Sequence, residues 1–205
     1  PRTPAPLPGG GDFPVDFVIT STAEPEQLIE FANQLVMKAF MSGLFIFAVG
    51  DLIPTLQLAH VGFQEGILVA EQIAGLEPRP IDYAGVPRVT YSEPEIATVG
   101  YTEKAAKAKF GDDQVQTQEY NLAGNGKSSI PGTSGLVKLV RQKDGPVVGV
   151  HMIGARMGEQ IGEAQLIVNW EAYPEDVAQL VHAHPTQNES LGEAHLALAG
   201  KPLHG

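Results

Sequence analysis

Cysteine is absent from all 205 residues of the chain. This absence excludes a disulfide framework, a thiolate zinc site and a cysteine nucleophile within this chain. A chain without disulfides suits a reducing compartment, and the N-terminal PRTPAPLPGGG lacks the apolar region of a secretory signal. We therefore expect a cytoplasmic protein that supplies no thiol of its own.

Basic residues are scarce, and long hydrophobic runs are missing. The chain has 13 Lys and Arg against 24 Asp and Glu, which gives a net charge of −11 and an isoelectric point near 4.9. Nucleic acids and anionic membranes both require clustered Lys and Arg, so neither is an expected partner. The longest apolar stretch, Gly43 to Gly50, is far shorter than the roughly 18 residues of a membrane span.

The region before residue 76 opens with a proline- and glycine-rich tail and continues with strand and helix patterns. The patterns predict a strand over 13–20, a helix ending at Gly43, a strand over 44–49 and a helix over 55–74. Gly75 is the expected stop of that last helix. Three prolines between Leu76 and Arg88 mark the predicted domain boundary.

Beyond this boundary the pattern of apolar and polar residues changes. The patterns predict one strand, one helix, three strands and three helices, over 86–92, 104–111, 114–122, 135–142, 146–154, 157–172, 174–182 and 192–200. Asp144 and Gly145 are a turn dipeptide, which makes the last two strands a predicted hairpin. Strands followed by helices, without strict alternation, indicate an α+β fold with an antiparallel sheet and packed helices.

One segment resembles a phosphate-binding loop only in part. NLAGNGKS, from Asn121 to Ser128, ends like a Walker A loop, but Asn121 stands where that motif needs glycine. Strand patterns lie on both sides of the segment, and no helix is predicted to follow it. We expect a turn rich in Gly and Asn beside an edge strand.

Histidines are the next candidates for chemistry. His182, His184 and His195 could ligate a metal, yet no cysteine or carboxylate lies beside them at metal-ligand spacing. We therefore predict no metal site. His60 and His151 lie inside apolar patterns, and they are expected to be core or boundary residues.

The segment HAHPTQNES, from His182 to Ser190, places a carboxylate close to a histidine. A bend at Pro185 and a helix starting near Thr186 would bring Glu189 back onto the ring of His184. A carboxylate on one ring nitrogen fixes the tautomer, stabilises the charged ring and leaves the other nitrogen free to take a proton. The spacing is equally compatible with a Thr-capped helix that carries a surface carboxylate.

Asp51 is a second candidate because it follows Gly50 at the end of the predicted strand over 44–49. Acidic residues at the carboxyl ends of strands in α/β folds lie where ligands bind, and a ribose or ribityl hydroxyl would be a natural partner. A turn residue that simply closes the strand explains the same position.

Three segments, in this order, resemble the C-terminal part of the flavin disulfide reductases, the pyridine nucleotide-disulfide oxidoreductase family. FAVGDLIPTLQLAHVGFQEG (47–66) resembles their second FAD-binding motif, VPRVTYSEPEIATVGYTE (86–103) the opening strands and helix of their interface domain, and HAHPTQNES their active-site signature. The Gln-Asn pair before Glu189 is more similar to the lipoamide branch of the family than to glutathione reductases.

The resemblance implies a domain organisation and a set of site residues. Residues 44–84 would be a remnant of an α/β FAD-binding domain and 85–205 the interface (dimerisation) domain, while 1–43 match nothing. The implied FAD contacts are Asp51, on the ribityl chain, and a backbone group of Ala59. The implied acid/base pair is His184 with Glu189 as its orienting partner, next to a cis His184–Pro185 bond.

The resemblance also implies an NAD-dependent reaction in a homodimer. His184 would remove a proton from a dihydrolipoyl thiol, and the thiolate would attack a disulfide of the partner subunit. Electrons would then pass through FAD to NAD. The implied partners are the lipoyl domains of 2-oxo acid dehydrogenase complexes.

The sequence also departs from this family pattern. It has no N-terminal GxGxxG, no redox pair of cysteines and no room for an NAD domain before residue 44. We therefore expect an incomplete chain that is inactive by itself. Two alternatives are a non-catalytic dimerisation or scaffold module and another flavin disulfide reductase, such as glutathione or mercuric reductase.

Overall fold

A computed structural model describes Glu30, Gln34 and residues 46–204. The predicted tail over 1–11, the strand over 13–20 and the helix ending at Gly43 lie outside the described residues, except that Glu30 and Gln34 are helical. The chain divides into two compact units, Pro1–Ile81 and Asp82–Gly205, which are taken in turn below.

The described part of the first unit contains a short 3₁₀ turn and one long helix. The turn covers Gly50–Leu52, and helix α1 covers Ala59–Ile73. Gly75 has a φ of +77° directly after the helix cap, so the predicted glycine stop is confirmed. The helix begins four residues later than the predicted start at Thr55.

The predicted strand over 44–49 is wrong for its described part, because residues 46–49 have no regular structure. A strand exists only where a neighbouring strand accepts and donates its backbone hydrogen bonds. The described residues of the first unit include no second strand. Apolar composition alone therefore overstated the tendency of this segment to be extended and paired.

The second unit is built on a five-stranded antiparallel sheet with the order β1-β2-β5-β4-β3. The strands are β1 (Arg88–Thr90), β2 (Glu95–Gly100), β3 (Val115–Asn121), β4 (Leu136–Gln142) and β5 (Val147–Gly154). Every pair of neighbours is antiparallel. The predicted α+β class with an antiparallel sheet is confirmed.

The hairpin between β4 and β5 is also confirmed. Asp144 has a φ of +55°, and the N–H of Gly145 donates to the carbonyl of Gln142 at 2.8 Å, so the two residues turn the chain as their types predict. Residue patterns missed β2, which follows the turn at Ser92 and pairs with both β1 and β5.

Five helices accompany the sheet. They are α2 (Glu103–Phe110), α3 (Gly126–Ser129), α4 (Met157–Asn169), α5 (Pro174–Val177) and α6 (Glu189–Leu198). The helix predicted over 174–182 is correct only for its first turn, where Pro174 is at N1 as expected. The last helix, predicted over 192–200, begins earlier, at Glu189, although later than the start near Thr186 that the HAHPTQNES segment suggested.

One face of the sheet forms the core of the second unit. Helix α4 packs on β2 and β5, and α6 packs on β3 and β4. The core includes buried apolar side chains that alternate along the strands and recur every third or fourth residue on the helices, among them Ala97, Val99, Val137, Leu139, Val150, Met152, Ile161, Ala164, Ile167, Leu191 and Ala194.

Helix α2 lies against β3 and β4. Thr102 caps it by accepting from the N–H of Ala105, and Glu103 in its first turn pairs with Lys138 of β4 at 2.8 Å. Lys138 alternates along its strand with the core residues Val137 and Leu139, so α2 is on the face opposite the core. Within the described ranges, no helix is both long enough and apolar enough to cross a membrane.

Candidate functional site

The site lies on residues 182–188, called here the His184 loop, which joins the end of the α5 region to α6. The bond between His184 and Pro185 is cis, as the resemblance implied. Because α6 packs on β3 and β4 through Leu191 and Ala194, the start of this helix is fixed to the core. The loop is therefore presented from a rigid helix.

His184 and Glu189 are in contact. The Nδ1–H of His184 donates to Oε1 of Glu189 at 2.8 Å. Partial burial of Glu189 opposes its ionisation, but the N–H of Thr186 and the ring of His184 more than compensate and lower the pKa of Glu189 below its usual value of 4.5. The carboxylate is thus a stable anion that faces the imidazole.

The second oxygen of Glu189 has a separate task. It accepts from the backbone N–H of Thr186 at 2.7 Å, which is one half of the capping box that the sequence Thr-x-x-Glu encodes. The other half is missing, since the hydroxyl of Thr186 donates to the carbonyl of Ala183. The spacing left two possibilities open: a pair with His184, and a Thr-capped helix with a surface carboxylate. Glu189 does contact His184, and its other oxygen binds the backbone of Thr186. Thr186 itself does not cap the helix.

The ring of His184 is accessible on its far side. Its side chain is 77% exposed, and no described residue bonds to Nε2. A carboxylate on Nδ1 selects the tautomer in which Nε2 carries a lone pair, and it stabilises the ring once that nitrogen is protonated. The arrangement can therefore exchange a proton with a molecule that approaches from outside the chain.

A second histidine–glutamate pair, which sequence reasoning missed, supports the loop. The Nε2–H of His182 donates to Oε1 of Glu163 on α4 at 2.8 Å, and the amide of Asn188 donates to the other oxygen of Glu163. Only 13% of the His182 side chain is exposed. No local pattern could have revealed these partners, which are 19 and 25 residues apart in sequence.

The segment that resembles a phosphate loop is a third support. Asn125 caps the short helix α3 by accepting from the N–H of Ser128, and its amide donates to the carbonyl of Thr186 at 3.1 Å. The hydroxyl of Ser128 donates to the side chain of Gln187 at 2.9 Å. A turn beside the edge strand β3 is confirmed, but a short helix does follow it, contrary to expectation.

The other histidines have different surroundings. His195 is fully buried in α6, where desolvation lowers its pKa from 6.5 to about 4. His151 is a boundary residue as expected, and burial lowers its pKa while its ring bonds to the carbonyl of Tyr101. His60 was predicted in the core or at its boundary, but it is exposed in the first turn of α1. In the part of the chain that the structure describes, no three His, Cys, Asp or Glu side chains are grouped to hold a metal.

The first unit contains Asp51 and Ala59. Asp51 lies in the 3₁₀ turn, is exposed, and its carboxylate bonds to none of the described residues. Ala59 opens α1, where backbone N–H groups lack partners within the helix. Buried Glu65 of α1 organises this region, since its two oxygens accept from the N–H of Gly50 at 2.6 Å and from the hydroxyl of Thr55 at 2.8 Å.

Residues 86–195 match the family model of the pyridine nucleotide-disulphide oxidoreductase dimerisation domain. The chain is 45% identical to a dihydrolipoyl dehydrogenase of Bacillus subtilis over 161 residues, which are 78% of this chain and 34% of that protein. It is 38% identical to dihydrolipoyl dehydrogenase 1, mitochondrial, of Arabidopsis thaliana over 172 residues, 83% of this chain and 34% of the relative.

A solved structure gives the same result at the level of the fold. LpdA from Mycobacterium tuberculosis matches with a TM-score of 0.69 and 26% identity, over 75% of this chain and 33% of that one. The chain thus spans about a third of the length of the proteins that it matches.

Proposed function

The chain belongs to the pyridine nucleotide-disulphide oxidoreductase family, and on that premise we propose that it supplies the acid/base residue and the dimerisation domain of an enzyme that oxidises dihydrolipoyl groups. The observation that carries this proposal is the exposed imidazole of His184, whose Nδ1 is held by Glu189 at 2.8 Å. The proposal extends to this chain an activity named for relatives that are 38–45% identical to it.

In this proposal, Nε2 of His184 takes the proton of a dihydrolipoyl thiol. The thiolate is the reactive form, and it attacks one sulfur of a disulfide while the other sulfur departs as a thiolate. Because these 205 residues contain no cysteine, that disulfide must be supplied from outside them. Glu189 stabilises the imidazolium that forms and keeps Nε2 directed outward.

Residues 44–84 are assigned to a segment of an FAD-binding domain, and the described residues fit that cofactor. Asp51 is exposed and can accept from a ribityl hydroxyl, and the helix start at Ala59 offers backbone N–H donors. Glu65 already uses both of its oxygens within the chain, whereas no described residue bonds to the carboxylate of Asp51. When bound, FAD would carry electrons from the reduced disulfide to NAD. No residue of this chain is assigned to NAD binding.

The interface domain, assigned to residues 85–205, would form a symmetric homodimer. Its described surface leaves large apolar side chains exposed, including Leu166, Trp170 and Val181, and such side chains favour burial between subunits. Lipoyl domains are the proposed source of the thiol, and the cytoplasm is the proposed location.

A chimeric enzyme tests the proposed function. The aligned 161 residues of this chain replace their counterpart in the Bacillus subtilis dihydrolipoyl dehydrogenase, and NAD reduction by dihydrolipoamide is measured. We expect an active chimera in which His184→Gln lowers kcat roughly 10²–10⁴-fold, the usual contribution of a general acid/base. Flavin content and dimerisation should not change.

The matched control is His151→Gln, a histidine of β5 on the face opposite the core, which should keep the activity of the parent chimera. Equal activity with and without His184 would contradict the assigned role. A dimeric chimera that holds flavin but has no activity would favour the non-catalytic dimerisation module. Faster turnover of glutathione disulfide than of lipoamide would favour another flavin disulfide reductase.

A further inference from the structure

Glu163 holds both ends of the His184 loop with a single carboxylate. One oxygen accepts from His182, the first residue of the loop, and the other accepts from Asn188, its last residue. The catalytic candidate lies between these two points. A contact at each end limits the directions in which the intervening residues can turn.

The carboxylate of Glu163 is carried by a helix that packs on the core. Helix α4 has 13 residues, and its inner side buries Ile161, Ala164 and Ile167 in the core. Glu163 lies between these positions and is partly buried itself. A group held on a packed helix positions its partners more accurately than one held on a loop.

Asn188 is diverted from its usual task. It occupies the N-cap position of α6, where an Asn side chain normally accepts from the first turn of the helix, yet it makes no side-chain cap hydrogen bond. Its amide reaches Glu163 instead. Glu189, the first residue of α6, accepts from the N–H of Thr186 in the loop, so Asn188 is left to serve the contact with α4.

A second anchor lies on the other side of the loop. Asn125 and Ser128, both buried, bond to Thr186 and Gln187. The loop is therefore fixed by α4 at its ends and by the β3–β4 connection in its second half. Among the described residues His184 bonds only to Glu189, so its orientation depends on where these anchors place the backbone.

We propose that Glu163 is a positioning residue for His184, acting through its bridge to His182 and Asn188. The bridge holds the loop so that Nδ1 of His184 meets Glu189 and Nε2 faces outward. Its importance for a reaction rests on the proposed function, but the positioning itself is a property of this chain. The two can therefore be tested separately.

The test uses the full chain labelled with ¹⁵N, in which long-range proton–nitrogen spectra of the neutral histidine rings report the tautomer of each ring. In the wild type we expect His184 to be the Nδ1–H tautomer alone. In Glu163→Ala the loop ends are released, and we expect signals of both tautomers for His184. Glu163→Gln can accept from His182 through its carbonyl oxygen and can donate its NH2 group to the side-chain oxygen of Asn188 once that amide turns over, so it should restore the single tautomer.

Glu193→Ala is the matched control, because Glu193 also pairs with a histidine, His204, at 3.0 Å, but it lies one helical turn beyond Glu189 and its partner is outside the His184 loop. It should leave the tautomer of His184 unchanged. If Glu163→Ala does not fold, Asn188→Ala breaks one arm of the bridge and should give a partial mixture.

A single Nδ1–H tautomer in folded Glu163→Ala, or no recovery in Glu163→Gln, would overturn the proposal. Neither readout depends on activity, so loss of the proposed function would leave the result standing. Conversely, a chimera whose activity requires His184 would keep the proposed function even if Glu163 proved irrelevant.

Discussion

His182 and His184 are two residues apart on one loop, and each ring meets a glutamate oxygen at 2.8 Å. Their surroundings differ sharply, since 13% of the His182 side chain is exposed against 77% for His184. The carboxylate takes Nε2 of His182 but Nδ1 of His184. The remaining nitrogen of His182 lies against Gly192 of α6, whereas that of His184 is open to the outside.

This comparison shows that a histidine–glutamate contact does not by itself indicate acid/base chemistry. Distance is the same in both pairs, so it cannot separate them. The nitrogen that the carboxylate occupies, and the exposure of the other nitrogen, decide whether the ring can exchange a proton with a ligand. By this criterion His182 supports the loop, and His184 is the residue available for chemistry.

His195 extends the comparison to a fully buried ring. Its ionisation should have the largest effect on the stability of the fold. Desolvation lowers its pKa from 6.5 to about 4, so the unfolded chain binds a proton before the folded one as the pH falls. Stability should be complete above pH 6.5 and should decrease down to about pH 4, by on the order of 3 kcal/mol. Urea unfolding between pH 4 and 7 measures this loss.

The control for this prediction is a pair of leucine variants. His195→Leu should remove that part of the pH dependence, whereas His184→Leu should keep it because His195 is still present. Identical curves for the wild type and His195→Leu would show that burial of this ring does not set its ionisation. The comparison between buried and exposed histidines would then lose its physical basis.

Gly192 offers a way to disturb the buried pair alone. A Cβ at this position would lie 2.7 Å from Nδ1 of His182, so Gly192→Ala must displace the ring from Glu163. Gly162→Ala on α4 meets nothing within 4 Å and should be stabilising by up to about 1 kcal/mol through helix propensity. Both substitutions share this gain in helix propensity. The free energy of unfolding of Gly192→Ala should therefore be about 1–3 kcal/mol lower than that of Gly162→Ala.

Thermal and urea unfolding of the two alanine variants check this difference. If Gly192→Ala proved as stable as Gly162→Ala, the His182 ring would have to be free to move. The contact with Glu163 would then contribute little to holding the loop.

Much of the fold could be predicted from local patterns. Asp144 and Gly145 encode their hairpin, Gly75 encodes a helix stop, and alternating apolar residues encode β4 and β5, because each depends on neighbours in sequence. The predicted helix over 174–182 failed after Val177. Its second half lies in the segment that carries His182 to Glu163, and periodicity does not detect such a tertiary contact.

The site could be predicted only for its local part. His184 and Glu189 are five residues apart, so a bend between them was enough to suggest the pair. Glu163 and Ser128 come from other elements, 19 residues from His182 and 59 from Gln187. Only the folded sheet and helices bring such residues together.

The smallest effect concerns the two tasks of Glu189. Burial opposes its ionisation, but the Thr186 N–H and the His184 ring lower its pKa below 4.5. Its contribution is therefore complete above pH 4.5 and is lost as the pH falls through the folded pKa. Because the pair is partly exposed, Glu189→Gln should remove less than about 1 kcal/mol of this acid dependence in urea unfolding.

A carboxyl ¹³C titration of the chain separates the two tasks. In His184→Gln the Thr186 N–H still donates to Glu189, so the pKa of Glu189 should remain below 4.5, though less so than in the wild type. A value at or above 4.5 would mean that the ring, not the backbone, keeps the carboxylate ionised. The ionised state of Glu189 would then depend on the ring of His184. Both histidine–glutamate pairs would in that case need their histidine for structure, and exposure of the ring alone would no longer distinguish them.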